Sequence, residues 1–220
     1  MNHIARFVMT IAVLVLLAPA HADAQVGRNL GQLLDPNRAT KEELQGLPGL
    51  NAAIADEIIA GRPWIEMTRL DTLLGTRGLT PEQRKTLYAR LWDPINLNTA
   101  TEAEMLLIPG SGSRMAHEFE EYRPYVNIAQ FHREMRKYWD EEEVARLEQF
   151  VFVPIDLNTA SDADILTIPG SGNRVLREFK EYRPYTSIEQ FRREMGKYWD
   201  AKEVARLEQY VKIGGAEDRR

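Results

Sequence analysis

Apolar residues recur at helical spacing along most of the chain. Met115, Phe119 and Tyr122 follow one another at steps of four and three residues, and residues 175–182 repeat the pattern. Such spacing places the apolar side chains on one face of a helix. No stretch alternates between apolar and polar residues for more than a few positions. The pattern therefore predicts an all-α fold.

These helical segments belong to an internal repeat of 60 residues. Residues 95–154 and 155–214 are identical at 38 of 60 positions without a gap. A diverged third copy precedes them, and self-similarity of this kind indicates tandem structural units. We therefore predict three units, called unit 1, unit 2 and unit 3 below, at residues 35–94, 95–154 and 155–213.

Each unit is predicted to contain four short helices. Capping boxes mark the starts of the first helices at Thr40, Thr101 and Ser161, and similar boxes at Thr80, Asp140 and Asp200 mark the fourth. The second helix is expected to end at an Arg-Pro pair, because proline disfavours helix in the preceding residue. The third helix is predicted at Ile128–Met135 in unit 2 and at Ile188–Met195 in unit 3.

A glycine-containing segment separates the first and second helices of each unit. It reads Ile-Pro-Gly-Ser-Gly at residues 108–112 and 168–172, and Leu-Pro-Gly-Leu-Asn at residues 47–51. Glycine supplies the positive φ that a tight interhelical turn needs. The second glycine leaves amides free at the start of the next helix, where the helix dipole favours an anion. The segment is therefore a candidate site for a DNA phosphate.

The order and spacing of these motifs resemble the helix-hairpin-helix module of the competence protein ComEA and its bacterial relatives. The resemblance rests on residues 157–161, 168–172 and 182–191, and it extends to all three units. It implies tandem helix-hairpin-helix repeats, each a SAM-like small helical bundle. It also implies hairpin amides that bind DNA phosphates without reading sequence, and a DNA receptor that acts outside the inner membrane.

The hairpins depart from the family pattern Gly-hydrophobic-Gly. Ser111 and Ser171 replace the apolar residue that packs between the helices, and Asn51 replaces the second glycine in unit 1. The predicted nucleic-acid-binding residues therefore lie in units 2 and 3: Gly110, Ser111, Gly112, Ser113, Arg114, Gly170, Ser171, Gly172, Asn173, Arg174, Arg177 and Lys180.

The charge of the chain opposes strong binding to nucleic acid. It has 28 Lys and Arg against 33 Asp and Glu, a net charge of −5. The net charges of units 1, 2 and 3 are −1, −5 and 0, so unit 3 is the best placed to contact a polyanion. Arg174, Arg177 and Lys180 are predicted to form a basic stripe on one helix there; an ordinary solvated helix face is the alternative.

Other conspicuous residues near the hairpins have structural interpretations. Arg62, Arg123 and Arg183 precede proline, and we expect them to bind helix carbonyls or stack on a ring while the following aromatic residue packs in the core; direct contact with a ligand is the alternative. Trp139 and Trp199 are expected to fill the core, and stacking on unpaired bases is the alternative.

The first 22 residues are predicted to be a secretory signal peptide. They combine Arg6, an apolar run at residues 7–17 and the small-residue pattern Ala-His-Ala that ends at Ala22. Cleavage is predicted after Ala22, with cleavage after Ala24 or an uncleaved anchor as alternatives. The mature chain, including a leader at 23–34 and a tail at 214–220, is then expected to be periplasmic or secreted, with no membrane insertion.

The composition offers little for catalysis or metal binding. The chain has no cysteine and four histidines, which argues against disulfides and a zinc site. No catalytic constellation stands out, so we expect a non-enzymatic protein with no cofactor and no metal. The sequence leaves two functions open: non-sequence-specific DNA binding, with a role in DNA uptake, or a scaffold of the cell envelope that uses the same fold to bind a protein partner.

Overall fold

The computed structural model describes residues 33–214, which form twelve short helices and four two-residue strands. Most of this part of the chain outside the turns is helical, so the all-α expectation is confirmed in its coarse form. The predicted signal peptide at residues 1–22, most of the leader and nearly all of the tail lie outside the described residues.

The helices follow one another in groups of four. Helices α1 to α4 are Lys41–Gln45, Ala52–Ala60, Met67–Thr76 and Pro81–Tyr88. Helices α5 to α8 are Glu102–Met105, Ser113–Glu121, Ile128–Met135 and Glu141–Glu148. Helices α9 to α12 are Asp162–Thr167, Asn173–Glu181, Ile188–Met195 and Ala201–Glu208. Helices α7 and α11 have the predicted bounds.

Polar side chains explain where many of these helices begin. Complete capping boxes are present at Thr40, Thr80, Thr101 and Ser161, as predicted. The boxes predicted at Asp140 and Asp200 are only half formed, because each Asp accepts from the third amide but no bond returns. The Glu143 and Glu203 carboxylates that would return it instead pair with Arg146 and Arg206 at 2.7 Å.

Short parallel strand pairs, which the sequence pattern did not predict, join the two ends of units 2 and 3. Strand β1 (Ile95–Asn96) pairs with β2 (Val151–Phe152), and β3 (Ile155–Asp156) pairs with β4 (Val211–Lys212). In unit 1, Leu34 and Leu91 form a single bridge at the equivalent place. Each pairing holds the first residues of a unit beside its last residues. A two-residue strand is too short to show an alternating pattern.

The buried apolar residues form two clusters. The first runs from Leu33 to Val153 and includes residues of units 1 and 2. The second runs from Phe152 to Val211 and belongs almost entirely to unit 3. The indole of Trp92 joins the first two units, since its Nε1 donates to the carbonyl of Phe150 at 3.0 Å. Units 1 and 2 therefore share a core, whereas unit 3 has its own.

Similar hydrogen bonds fix the segment after the second helix in every unit, although Arg183 of unit 3 donates only to the carbonyl of Ala160 and its Nε has no partner in the described chain. The Asn98 side chain accepts from the amide of Tyr125 at 2.6 Å and donates to its carbonyl at 2.9 Å. Arg123 donates to the carbonyls of Leu97 and Ala100, which precede the first helix. The arginine thus binds carbonyls outside the helices, and the aromatic rings are buried as predicted. Equivalent residues elsewhere are Asn37, Arg62 and Trp64, and Asn158, Arg183 and Tyr185.

Candidate functional site

The turn between the first and second helices has the same backbone in all three units. Gly49, Gly110 and Gly170 have φ values of 81°, 81° and 73°, in the left-handed region that favours glycine. The amides of Ser111 and Ser171 donate at 2.9 Å to the isoleucine carbonyls three residues earlier. These two amides, predicted as phosphate donors, are therefore already engaged in the turn.

The second glycine of each hairpin occupies the N-cap of the next helix. Gly112 and Gly172 have φ values of −154° and −159°, an extended backbone that other residues also adopt. A Cβ atom added to either glycine would meet no other group within 4 Å. Neither backbone conformation nor internal packing requires glycine here. Its effect is to leave the surface over the following amides clear.

The amides at the start of α6 and α10 have no partner within the described chain. Neither helix has a side-chain cap, and the amides of residues 112–115 and 172–175 make no hydrogen bond among residues 33–214. The first amides of a helix have no intrahelical acceptor and carry a partial positive charge. Both helices therefore present an open N-terminus.

The equivalent helix in unit 1 is closed by its own side chain. The Oδ1 atom of Asn51 accepts from the amide of Ile54 at 3.0 Å. An asparagine at the N-cap satisfies one of the amides that glycine leaves free. The three hairpins therefore share one turn, but only those of units 2 and 3 leave their helix amides open.

Arg114 and Arg174, the second residues of these helices, lie over aromatic rings. The Cζ atom of Arg174 is 5.3 Å from the ring centre of Trp199 and 5.8 Å from that of Tyr198. Arg114 lies 5.7 Å from the ring of Tyr138. Neither arginine has a carboxylate within 4.0 Å in the described part of the chain. Stacking thus positions both guanidinium groups, and the charge of Arg174 acts on the carboxylate of Glu178 only from beyond 4.0 Å.

The predicted basic stripe of unit 3 is interrupted by two ion pairs. Arg177 lies 2.6 Å from the carboxylate of Glu178, and Lys180 lies 2.5 Å from that of Asp162. The guanidinium of Arg177 holds the pKa of Glu178 below its ordinary value. Of the three predicted cations, only Arg174 therefore lacks an acidic partner among residues 33–214.

Aromatic and hydroxyl groups around the hairpins face the protein interior. Trp139 and Trp199 pack against the edges of the two cores and are only half-buried, so they do not fill the core as predicted. The hydroxyl oxygens of Ser111 and Ser171 are buried and have no hydrogen-bond partner in the described chain. These serines therefore point inward, in the position that the helix-hairpin-helix resemblance assigns to an apolar side chain.

An arginine of the fourth helix, which the sequence analysis missed, holds each open hairpin. Arg146 donates to the carbonyl of Pro109 at 2.8 Å, and Arg206 donates to that of Pro169 at 2.7 Å. Both positions lie on helices at ordinary amphipathic spacing, so their hairpin partners could not be recognised from the sequence. The only available signal was that arginine recurs at the same place in both close copies.

The hairpin of unit 3 also contacts unit 1. A Cβ atom on Gly170 would lie only 1.6 Å from Nη1 of Arg38, so this guanidinium lies directly against the glycine. On Gly110 the nearest atom would be Nη2 of Arg146, at 3.3 Å. Arg38 is exposed and has no carboxylate within 4.0 Å in the described part of the chain. The third hairpin therefore has an additional cation beside it.

No group of three or more His, Cys, Asp or Glu side chains within residues 33–214 is placed to hold a metal ion. No helix of this part of the chain is long and apolar enough to cross a membrane. No protein-family model, curated protein or solved structure matches the chain. The geometry of the two open hairpins is therefore the basis for a functional interpretation.

Proposed function

We propose that the chain is an exported, non-enzymatic protein that binds the phosphate backbone of DNA without sequence specificity, in the uptake of DNA. One observation carries the proposal: α6 and α10 begin at glycines that leave their first amides open beside an arginine with no acidic partner. The equivalent helix of unit 1 fills the same position with Asn51.

Phosphate is the ligand whose chemistry fits these helix starts. Its oxygens accept hydrogen bonds from several amides at once, and its negative charge is favoured by the helix dipole. Arg114 and Arg174 add one positive charge to each site. The proposed contacts reach only the sugar-phosphate backbone, so they position the protein but read no bases.

The small number of contacts agrees with an acidic protein that binds DNA weakly. Two hairpins that each neutralise one or two phosphates give a slope of roughly −2 to −4 for log affinity against log salt concentration. The net charge of −5 opposes binding at long range. We therefore expect binding that is clear at low salt and is lost steeply as salt is added.

The proposal is tested by measuring fluorescence anisotropy of a labelled random-sequence duplex with residues 23–220 across a salt series. The informative variant is Gly172→Asp, because an aspartate N-cap accepts from the helix amides and occupies the phosphate position with its own carboxylate. This change favours the helix by a few tenths of a kcal/mol, so lost binding would not reflect lost folding. We expect a several-fold loss of affinity.

The matched control is Asn51→Asp in unit 1. It adds the same charge at the equivalent N-cap, which a side chain already occupies, and we expect it to change affinity much less. Equal losses of affinity in the two variants would mean that the added negative charge merely repels DNA wherever it is placed, and would contradict a role for the open helix start. No binding by the unaltered chain at low salt would refute the DNA proposal.

The alternative function is a scaffold of the cell envelope that binds a protein partner without DNA. Exposed apolar side chains at equivalent positions of different units favour it: Leu106 and Leu166 are 41% and 45% exposed, and Ile65 and Val126 are 42% and 60% exposed. Repeated apolar positions of this kind suit a repeated docking contact. Substituting the two leucines with serine would disrupt partner binding in that case and leave DNA binding unchanged.

A further inference from the structure

Unit 3 contacts unit 1 through residues that depart from the internal repeat. Three side chains at this contact differ from their equivalents in unit 2: Arg38 replaces Thr99, Asp93 replaces Val153, and Tyr210 replaces Phe150. Unit 2 forms the same helices without these polar groups. These polar groups therefore coincide with the contact between the units, in which Gln209, unchanged from Gln149 of unit 2, also takes part.

The centre of the contact is a buried carboxyl group. Asp93 is 2% exposed and follows the last helix of unit 1. The hydroxyl of Tyr210 donates to its Oδ1 at 2.9 Å, and the side-chain amide of Gln209 donates to its Oδ2 at 3.1 Å. At the edge, Lys202 donates to the carbonyl of Ala60 at 3.4 Å. One acidic side chain of unit 1 is thus satisfied by two donors from unit 3.

Burial of Asp93 favours its neutral form and outweighs the hydrogen bonds from Tyr210 and Gln209, which favour the ionised form. No basic nitrogen lies within 4.0 Å of it among residues 33–214. Arg206 of α12 attracts the Asp93 carboxylate from further away, but the guanidinium of Arg206 is itself paired with Glu203 at 2.7 Å. The charge of Asp35 repels the Asp93 carboxylate. Burial raises the pKa of Asp93 from 3.8 to about 8, and the charge of Asp35 adds to this effect. Burial likewise raises the pKa of Asp35 and of Tyr210.

The buried core of unit 3 is almost entirely separate from that of units 1 and 2. Its buried residues form their own cluster, whereas units 1 and 2 share the other. Separating unit 3 from units 1 and 2 therefore exposes Asp93 and its donors and breaks the contact between the rings of Phe152 and Tyr210, which lie 4.6 Å apart, but it leaves the other residues of this core together. The connection between units 2 and 3 is short, because β2 ends at Phe152 and β3 begins at Ile155.

We infer that Asp93, Tyr210 and Gln209 form a proton-controlled latch, which docks unit 3 on unit 1 under acidic conditions and releases it as the pH rises. In the docked state the carboxyl group keeps its proton, whereas in the released state it is solvated and ionises at its ordinary pKa. Release therefore frees a proton wherever the pH lies between these two values. The ratio of released to docked chains rises about tenfold per pH unit from about pH 4 to about pH 8 and is constant above that.

The latch does not require DNA to be bound, but its release changes the surroundings of the unit 3 hairpin. In the docked state Arg38 lies against Gly170. Release removes the guanidinium of Arg38 from the hairpin, whereas Arg174 stays on α10, the helix that follows the hairpin. The state of the latch therefore changes the charge beside one of the two open helix starts.

The latch is tested by single-molecule energy transfer on residues 23–220. The chain has no cysteine, so Lys85→Cys in unit 1 and Glu189→Cys in unit 3 give two unique exposed labelling positions. We expect a docked population at pH 5 and a growing second population up to about pH 8. A docked fraction that does not change between pH 5 and pH 9 would overturn the inference.

Two variants identify the titrating group. Asp93→Asn keeps a neutral acceptor for Tyr210, so the chain should stay docked with no pH dependence. Asp35→Asn keeps an acceptor for the amide of Asn37, as Asn96 accepts from the amide of Asn98 in unit 2. It removes the negative charge that repels the Asp93 carboxylate, so the upper limit of the transition should move to lower pH. A pH dependence that survives Asp93→Asn would assign the transition to another group and refute the latch.

Discussion

Replacing the two glycines of the unit 3 hairpin with alanine should have different effects on stability. Gly170 has a φ of 73°, and a Cβ atom there would overlap the guanidinium of Arg38. Gly172 has an extended backbone and open space where a Cβ atom would lie. Gly170→Ala should therefore destabilise the protein, whereas Gly172→Ala should leave its stability nearly unchanged.

The magnitude follows from the backbone. An alanine in the left-handed region costs about 1–2 kcal/mol, and displacing the exposed end of Arg38 adds little. At Gly172, alanine is a poorer N-cap than glycine by roughly 0.5 kcal/mol. Both variants gain about 0.4–1 kcal/mol because alanine restricts the unfolded chain. The free energies of unfolding should therefore differ by about 1 kcal/mol, with Gly170→Ala the less stable.

Urea denaturation followed by circular dichroism measures this difference, with Gly110→Ala and Gly112→Ala as an independent pair in unit 2. For a chain of this size, 1 kcal/mol corresponds to about 2–4 °C in Tm. Equal stabilities of Gly170→Ala and Gly172→Ala would refute the distinction between Gly170, which the turn needs for its positive φ, and Gly172, which only leaves the helix amides uncovered. If the distinction holds, Gly172→Ala should still weaken DNA binding, because its methyl group crowds the open amides.

Two further changes test the interior of unit 2. Asn98→Ala removes both hydrogen bonds to the backbone of Tyr125, so it should lower the free energy of unfolding by about 2 kcal/mol in a urea titration; no change would show that these bonds contribute nothing net. Tyr125→Phe removes a buried hydroxyl that has no partner in the described chain, so it should be neutral or raise stability by up to about 1 kcal/mol. A clear loss in that variant would reveal a partner for the hydroxyl.

The helices could be predicted from the sequence because their signals are local. A threonine or serine followed three residues later by Glu, Asp or Gln satisfies two amides within one turn of chain, and the boxes at Thr40 and Ser161 form as expected. The bounds of α7 and α11 follow from apolar spacing after a polar cap. None of these features needs knowledge of distant residues.

The contacts between distant segments could not be predicted in the same way. The bridge between Leu34 and Leu91 and the strand pairs of units 2 and 3 join residues more than fifty positions apart. Asp93 looks like an ordinary loop aspartate until Tyr210 is placed against it. Only the departures from the repeat distinguished such residues, and a departure shows that a position is special without naming its partner.

The backbone of the candidate site could be predicted from the sequence, but the ion pairs of its cations could not. The glycine pattern correctly located a turn with positive φ at Gly110 and Gly170. Helical spacing placed Arg174, Arg177 and Lys180 together, but it could not show that Glu178 and Asp162 pair with two of them. Which cations remain available depends on neighbours from other helices, and a single helix pattern does not contain them.

The strand pairs that join the start of each unit to its end have a consequence for how such a chain can grow. Because β3 and β4 hold the first and last residues of unit 3 side by side, a unit departs from the chain and rejoins it at nearly the same point in space. Gene duplication can therefore insert another unit there without stretching the segments on either side. The 38 identities between residues 95–154 and 155–214 fit such an event, after which Asp93 and Tyr210 mark where the added copy was adapted to its new neighbour.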